Sequence, residues 1–385
     1  MNVKQVVILV GGLGTRLKSL TKKTPKPLIK VNGKPFLDYL INYYAEYKIS
    51  KIILLTKYKH QTFFKRYHNK KFNNLKIKCF REKNFLGTAG SLRNVLKILD
   101  KRFVYCNGDT FFNINLFKFQ TKLKKNQIGI LACSVSQNNE KRFTTFKNDN
   151  KKLISSGVYI FNRNLIKKYL IKKGSLENHV LNKFPKNKFK LIPYKNKFLD
   201  IGTLNDLKKS KKFLAENTKK KCAFLDRDGV INYDYGYVSK KKNFKFKKNV
   251  FKTIKFLNLS NYYVIVISNQ SGVGRGYYTE KDVNLLHGWI NKKLNTFGAH
   301  IDKFYYAPFY PFSKNKIYRK GSQDRKPNIG MFKKAFKEFN IKKKGSFYVG
   351  DKSSDKLAAK KINLKYFNVD NKTNLYNLLK KYLSK

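Results

Sequence analysis

Two aspartates stand two residues apart in Cys222-Ala-Phe-Leu-Asp226-Arg-Asp228-Gly229-Val-Ile-Asn232, directly after a short apolar run. Carboxylates so placed can divide a phosphoryl transfer between them, one attacking phosphorus and the other moving protons. If Ala223 to Leu225 form a buried strand, Asp226 emerges at its carboxyl end, where open α/β sheets bind ligands, and the next turn presents Asp228 to the same place. The tetrapeptide alone also suits a surface turn, since Asp and Gly are common turn formers. Three later segments shift the balance towards chemistry. Tyr263-Val-Ile-Val-Ile-Ser268-Asn269-Gln270-Ser271-Gly272 reads as a buried strand opening into a hydroxyl and amide turn suited to phosphate oxygens. Asp324-Arg325-Lys326-Pro327 fixes two cations ahead of a proline, and Ser346-Phe-Tyr-Val-Gly350-Asp351-Lys352-Ser-Ser-Asp355 repeats the pattern of apolar strand and then acid. Acids gathered at one sheet edge can hold Mg²⁺.

A second set of chemical residues lies near the start of the chain. Val6 to Val10 read as a strand, and Gly11-Gly12-Leu-Gly14-Thr15-Arg16-Leu17 as a glycine-rich turn entering a helix. Glycines let backbone N–H groups approach a phosphate closely, and Arg16 adds a fixed fork of donors. The spacing lacks the third glycine of a dinucleotide fingerprint and the Gly-Lys-Ser/Thr of a P-loop, so neither hydride transfer nor a P-loop kinase is favoured. In Thr24-Pro25-Lys26-Pro27-Leu28, prolines on both sides stiffen the backbone and aim one lysine.

The elements that must carry these residues alternate. Apolar strands and helical segments follow one another through both halves, which predicts two α/β domains with doubly wound, mainly parallel sheets. The boundary falls in the charged stretch Asn217 to Lys221, after a helix over 204–216, giving domains 1–217 and 219–385.

Asp226-Arg-Asp228-Gly-Val, Ser268-Asn269, Arg325-Lys326-Pro327 and Gly350-Asp351-x-x-x-Asp355 resemble the four motifs of the haloacid dehalogenase superfamily of phosphatases. The longer forms of these motifs resemble the branch containing heptose 1,7-bisphosphate 7-phosphatase and histidinol-phosphate phosphatase. The resemblance implies Asp226 as nucleophile, Asp228 as general acid then base, and Lys326, Ser268, Asn269, Arg325 and Lys352 around the phosphoryl group. It implies Mg²⁺ at Asp226, Asp228 and Asp351, with Asp355 behind them. The amino-terminal motifs, continued by Glu82 with Leu86-Gly87-Thr88-Ala89-Gly90-Ser91, Asn107-Gly108-Asp109, Ser156-Gly157-Val158-Tyr159 and Asp200-Ile-Gly202-Thr203, resemble the sugar-phosphate nucleotidyltransferases. That half is most similar to the D-glycero-α-D-manno-heptose 1-phosphate guanylyltransferases. By resemblance Gly11, Gly12 and the turn from Gly87 to Gly90 bind base and ribose. Gly14, Thr15, Arg16 and Lys26 hold the triphosphate, Asp109 and Asp200 bind Mg²⁺, and Glu82, Thr88 and Glu177 lie by the substrates. Glu177 is equally suited to a solvated helix start.

Two departures bear on these implications. Many members of the phosphatase branch carry a zinc loop of Cys and His. The matching positions here are Ala307, Phe309, Ser322 and Asp324, which offer no tetrahedral thiolate or imidazole set, so no zinc is expected. Packing of Phe309, Tyr310, Phe312 and Tyr318 is then expected to hold the loop. In the transferase half, relatives bring a lysine to the sugar phosphate from a segment that is shortened here before Ser155-Ser156-Gly157. Lys151, Lys152 or Arg142 are the candidate replacements.

At 385 residues there is room for two domains. No leader of secretory length precedes Val6, and Cys79, Cys106, Cys133 and Cys222 have no paired spacing, so a cytoplasmic protein with reduced core cysteines is expected. His60, His68, His179, His287 and His300 form no ligand pair at helical spacing, and the Phe and Tyr residues from 102 to 119 read as core. The net charge of +64 would ordinarily suggest nucleic acid. Here the lysines are spread through the whole chain with no clustered stripe, which favours a solvated basic surface and neither specific nucleic-acid binding nor membrane association. Together the two halves correspond to consecutive steps towards a nucleotide-activated heptose, acting on heptose bisphosphate and a nucleoside triphosphate. The rival readings are a histidinol-phosphate-type phosphatase, a transferase half that only binds nucleotide and regulates, and a basic nucleic-acid-binding protein with relic motifs.

Overall fold

Segments such as 6–9, 52–55 and 264–267 are apolar on both faces, so each must be covered by helices on both sides of its sheet. The computed structural model describes the chain apart from residues 1, 2, 18, 73, 74, 136–142, 149, 150, 197, 320 and 385. Two compact units divide it, Met1–Thr218 and Lys219–Lys385.

In the first unit the strands run across the sheet in the order Phe189–Tyr194, Gly129–Val135, Lys151–Asn162, Arg102–Asn107, Gln5–Leu9, Lys51–Thr56, Leu75–Arg81 and Lys71–Phe72. Thr145–Asn148 pairs off this path against the start of Lys151–Asn162. All these strands point the same way except Lys151–Asn162 and Lys71–Phe72. The long antiparallel Lys151–Asn162 is the departure from a purely parallel sheet. It bulges between Ser155 and Val158, at Gly157, whose φ is +66°. Any Cβ there would lie 2.3 Å from Asn107 Nδ2, so only glycine lets the bulge close over the end of the neighbouring strand.

The second unit is a five-stranded sheet, parallel throughout, ordered Lys303–Ala307, Tyr263–Asn269, Cys222–Leu225, Phe347–Gly350 and Lys365–Asn368. One apolar layer under it includes Ala223, Leu225, Val264, Val266, Ile254, Ile290 and Leu379. The opposite layer includes Phe224, Ile265, Ile267, Phe332 and Tyr348. Alternate residues of one strand therefore serve the two layers, as the pleat requires. The four cysteines are all buried and free. Among the described residues no helix is long and apolar enough to cross a membrane.

Candidate active sites

In the first unit the strands Gln5–Leu9, Leu75–Arg81 and Arg102–Asn107 end at Gly11, Glu82 and Asp109, and around them lies a cavity of about 400 Å³. Gly11, Gly12, Gly14, Thr15, Arg16, Lys26, Glu82, Gly87, Thr88, Asn107 and Asp109 line it. After Gly14 the chain makes a single turn of 3-10 helix, Thr15–Leu17, and then a five-residue helix, Ser19–Lys23. The helix the turn enters is short, so charge at this end comes from the side chains more than from a helix dipole. Lys26, buried to 5% exposure, places its Nζ 2.6 Å from Asp109 Oδ2 and 3.9 Å from Asp200 Oδ2. Asp109 and Asp200 meet because Thr110–Phe111 pairs with Leu199–Asp200 and the Ile201 N–H donates to the Asp109 carbonyl. A reciprocal cap between Thr203 and Asp206 starts helix Leu204–Asn217 just beyond Gly202.

A second cavity, of about 270 Å³, adjoins the first and shares Arg16, Thr88, Asn107 and Asp109 with it. Ser155, Ser156, Gly157, Glu177 and Asp200 line its other side, and Arg16 is the one basic side chain in its lining among the described residues. Glu177 is not a solvated helix start. Its carboxylate accepts from the Tyr159 hydroxyl at 2.8 Å, Thr88 Oγ1 at 3.0 Å and Ser175 Oγ at 3.1 Å. Gly90 lines neither cavity. A Cβ on it would lie 2.5 Å from the Lys172 carbonyl, and one on Gly87 2.4 Å from the Gly174 carbonyl. These glycines let helix Gly87–Val95 press against the 172–174 backbone, with Gly87 alone also facing the cavity. Of the candidate replacement cations, Lys152 is exposed, Arg142 lies outside the described residues, and only the backbone of Lys151 is described.

In the second unit Asp226 follows strand Cys222–Leu225, and its N–H donates to the Val349 carbonyl of the neighbouring strand at 2.9 Å. Lys326 Nζ, almost fully buried, stands 2.8 Å from Asp226 Oδ1 and 2.7 Å from Asp355 Oδ1. It also donates to the Ile267 carbonyl and the Tyr348 hydroxyl, both at 3.1 Å. Asn269 places this lysine, its Oδ1 taking the Lys326 N–H at 2.9 Å and its Nδ2 giving to the Lys326 carbonyl at 3.1 Å. Burial pushes the Asp226 carboxyl up to about 7 against the pull of Lys326, with Asp355 adding to the rise. Burial likewise raises Asp351.

Asp228 differs from Asp226 because its partners outweigh its burial. Arg227 forks onto it through Nε and Nη2 at 3.1 and 3.0 Å, while Asn232 Nδ2 and Gln270 Nε2 donate at 2.9 and 3.0 Å. Burial works against the charge, yet Arg227, Asn232 and Gln270 together keep the carboxyl below its ordinary range. The carboxylates that come together are Asp226, Asp351 and Asp355, each offering an oxygen within 4.8 Å of the others. The Asp228 carboxylate, expected with Asp226 and Asp351 around Mg²⁺, lies in the Arg227 fork, and Asp355 stands beside the other two. Asp351 Oδ1 is buried and has no hydrogen-bond partner among the described residues, which suits a cation ligand.

Family models match each unit, one for nucleotidyl transferases over residues 5–151 and one described as polynucleotide kinase 3 phosphatase over residues 221–377. The D-glycero-alpha-D-manno-heptose 1-phosphate guanylyltransferase of Campylobacter jejuni is 33% identical over 217 residues, spanning 52% of this chain and 96% of that protein. The D-glycero-beta-D-manno-heptose-1,7-bisphosphate 7-phosphatase of Haemophilus ducreyi is 40% identical, spanning 38% of this chain and 80% of that one. An alpha-directed counterpart from Burkholderia mallei is 42% identical, over 36% of this chain and 72% of its own length. Among solved structures, HddC from Yersinia pseudotuberculosis complexed with GMP-PN is 29% identical with a TM-score of 0.50, covering 55% of this chain and all of HddC. The chain belongs to two families, joining a sugar-phosphate nucleotidyltransferase to a haloacid dehalogenase-like phosphatase.

Within the phosphatase unit, the residues that sequence reasoning missed are those behind Asp228. Arg227 is fully buried, Gln270 links Asp228 to Ser268 Oγ at 2.8 Å, and the Tyr278 hydroxyl fixes the Gln270 amide by donating to its Oε1 at 2.9 Å. A buried arginine next to an acid was a legible signal, since an uncompensated guanidinium is not tolerated in a core. Lys352, placed by the sequence near the phosphoryl group, pairs with Asp234 at 2.9 Å. Arg325 donates to the Phe309 carbonyl at 3.1 Å. The loop 307–324 departs from expectation in one respect: Phe312 is 81% exposed, its ring meeting that of Tyr310 edge-on within the same loop. Phe309 packs against the apolar layer as expected, and polar anchors are added by the Tyr318 hydroxyl on the Glu280 carboxylate at 2.9 Å and Arg319 Nε on the Ser313 carbonyl at 2.6 Å.

Gly229 makes the approach of Asp351 possible. Its φ is +83°, and a Cβ would stand 2.1 Å from Asp351 Oδ2. Gly229→Ala is expected to cost the phosphatase unit roughly 1–3 kcal/mol and to displace Asp351. A thermal melt and a phosphate-release assay check this, with pyrophosphate release from the transferase unit as the internal control. An unchanged melt with full phosphatase activity would contradict the close approach.

Proposed function

We propose that the phosphatase unit removes the 7-phosphate of D-glycero-α-D-manno-heptose 1,7-bisphosphate, and that the transferase unit joins the resulting heptose 1-phosphate to GMP from GTP, releasing pyrophosphate. The observation that carries this reading is the union, in one chain, of units whose relatives act on successive phosphates of one sugar. Hydrolysis at C7 leaves the C1 configuration untouched. A transferase taking the α-1-phosphate therefore requires the α-bisphosphate upstream, and relatives named for both anomers are of similar identity to this chain.

In the phosphatase step an Asp226 carboxylate oxygen attacks the 7-phosphorus and the bond from phosphorus to the sugar O7 breaks, the leaving oxygen taking a proton from Asp228. Water then gives a proton to Asp228 and attacks the aspartyl phosphate, whose bond to Asp226 breaks to release inorganic phosphate. The Arg227 fork favours ionised Asp228, the form this second step needs, and opposes the first. Lys326 neutralises Asp226, and Ser268 and Asn269 stand at the end of the adjacent strand to receive phosphate oxygens. Asp226 and Asp355 share one ammonium and Asp351 brings a third carboxylate beside them, an excess of negative charge that fits Mg²⁺. Bound there, Mg²⁺ would offset that charge and the charge of the phosphate. Arg275 stacks 3.7 Å above the Tyr310 ring, and its charge together with burial lowers the nearby Arg325. Two guanidiniums that repel each other suit a second phosphate, as a bisphosphate supplies.

In the transferase step an oxygen of the sugar 1-phosphate attacks the α-phosphorus of GTP and the bond to the β-phosphate oxygen breaks. Catalysis is positioning and charge neutralisation. Arg16, at the junction of the two cavities, would meet both substrates, and Lys26 would leave Asp109 for the triphosphate. Asp109 and Asp200 would then hold Mg²⁺, which would screen the phosphate charges. Cytoplasmic work suits the four reduced, buried cysteines.

The test is to give the full chain Mg²⁺, each anomer of the bisphosphate and each nucleoside triphosphate, and to identify products by mass spectrometry. GDP-heptose from the α anomer is the expected product. An untouched bisphosphate, or faster phosphate release from histidinol phosphate, would overturn the reading.

A further inference from the structure

Two arginines of the phosphatase unit rest on three consecutive residues of the loop 307–324. The Pro308 carbonyl accepts the Gly274 N–H at 3.0 Å, the Phe309 carbonyl accepts Arg325 Nη1 at 3.1 Å, and the Arg275 guanidinium lies 3.7 Å above the Tyr310 ring. A Cβ on Gly274 would stand 2.9 Å from the Tyr310 Cβ, so the turn that carries Arg275 is pressed against this platform. Burial, and then the Arg275 charge, lowers Arg325. Like charges stay side by side only where something fixes both.

The platform is itself held from the far side of the loop. The Tyr310 N–H donates to the Tyr318 carbonyl at 3.0 Å, and the Tyr318 hydroxyl donates to Glu280 Oε1 at 2.9 Å. Glu280 opens helix Glu280–Thr296, and its other oxygen takes the Tyr306 hydroxyl of strand Lys303–Ala307 at 2.8 Å. Among the described residues from 311 to 321, Tyr318 is the one whose side chain hydrogen-bonds to another element. Burial and the Glu280 charge raise both hydroxyls, Tyr306 up to about 12, so both remain donors at neutral pH.

We propose that Tyr318 is a positioning residue of the phosphatase reaction: through Glu280 and Tyr310 it holds Arg275 and Arg325 together for the phosphate that the reaction leaves in place. The inference rests on the reading of this unit's substrate as a sugar bisphosphate and adds the residue that keeps the two guanidiniums placed. Arg325 is next in the chain to Lys326, which faces Asp226, so the pair stands beside the reacting centre. A phosphate dianion between two guanidiniums offsets their repulsion and takes charge-assisted bonds from both. Without the Tyr318 hydroxyl the platform must be ordered at each binding event, which weakens a ligand with two phosphates and spares a ligand with one.

The experiment follows initial rates of p-nitrophenyl phosphate hydrolysis by the full chain in Mg²⁺. The competitive inhibitors are heptose 1,7-bisphosphate and heptose 7-phosphate, and fructose 1,6-bisphosphate and fructose 6-phosphate. The wild type is expected to bind each bisphosphate roughly tenfold or more tightly than its monophosphate. Tyr318→Phe keeps the ring and removes the hydroxyl. It should narrow that gap about fivefold or more, with kcat and KM for p-nitrophenyl phosphate within about twofold of the wild type. Glu280→Gln can still pair with both hydroxyls and should retain most of the gap, whereas Glu280→Ala should narrow it as Tyr318→Phe does. No gap in the wild type or an unchanged gap in Tyr318→Phe would overturn the inference. So would a loss of p-nitrophenyl phosphate turnover in step with the gap, because a loosened fold slows every substrate. A gap that narrows for the fructose pair, with heptose bisphosphate left unhydrolysed, would sink the heptose reading and leave the role of Tyr318 standing.

Discussion

Asp226→Asn should abolish phosphate release from heptose bisphosphate, by about 10⁴-fold or more, because the amide cannot form the aspartyl phosphate. The loss should not come from unfolding. Lys326 keeps its contacts with Asp355, the Ile267 carbonyl and the Tyr348 hydroxyl, and the variant removes a carboxyl that burial already pushes up to about 7. A thermal melt within a few degrees of the wild type is therefore expected. Pyrophosphate release by the transferase unit, supplied directly with heptose 1-phosphate, should be unaffected. The same assay separates the two activities. A variant that still turned over at more than about one hundredth of the wild-type rate would deny Asp226 the nucleophile's role.

Lys326→Met should have the largest effect on stability, because the lysine is the cation that faces both Asp226 and Asp355. Removing one partner of a buried ion pair leaves the others uncompensated, at a cost of about 3–5 kcal/mol. For a unit of this size that lowers the melting midpoint by roughly 10 °C. The pH dependence follows from the same carboxyl. Asp226 already sits at about 7 in the folded chain against an ordinary 3.8, so the folded state binds the proton more tightly than the unfolded one. Such a group makes the fold less stable as pH rises between those two values. Without Lys326 its carboxyl moves higher still. The deficit of Lys326→Met should therefore be greatest above pH 7 and shrink as the solution is acidified towards pH 5. Chemical denaturation in EDTA at several pH values measures it. A deficit that grew on acidification would show that the lysine is not balancing carboxylate charge. Activity should be lost as well, since Lys326 neutralises the attacking group.

Much of this was legible in the chain because it depended on residues close together in sequence. Strand Cys222–Leu225 followed by Asp226, Tyr263–Asn269 with Ser268 at its end and Phe347–Gly350 followed by Asp351 each pair a local apolar run with a polar residue at its carboxyl end. Parallel pairing then carries all three ends to one edge. The same logic held for Gly11, Glu82 and Asp109. Alternation of strand and helix was likewise a local pattern, and it indicated the α/β class of both units before any coordinates.

What depended on distant segments meeting was decided by the tertiary structure alone. Asp228 lies two residues from Asp226, yet its carboxylate accepts from Arg227, Asn232 and Gln270, while those of Asp226, Asp351 and Asp355 come together. Gly90 looked like part of a nucleotide turn, but it is small because the backbone at Lys172 presses on it. Glu177 suited either a place by the substrates or a solvated helix start, and Thr88 and Tyr159 reach it from other elements. For Gly90 and Glu177 the deciding term is a steric limit or a hydrogen bond between residues far apart in the chain, and for Asp228 the distant partner is Gln270. A hydrophobic pattern records which face is buried; the partner of a polar group inside that face is known only once the chain has closed around it.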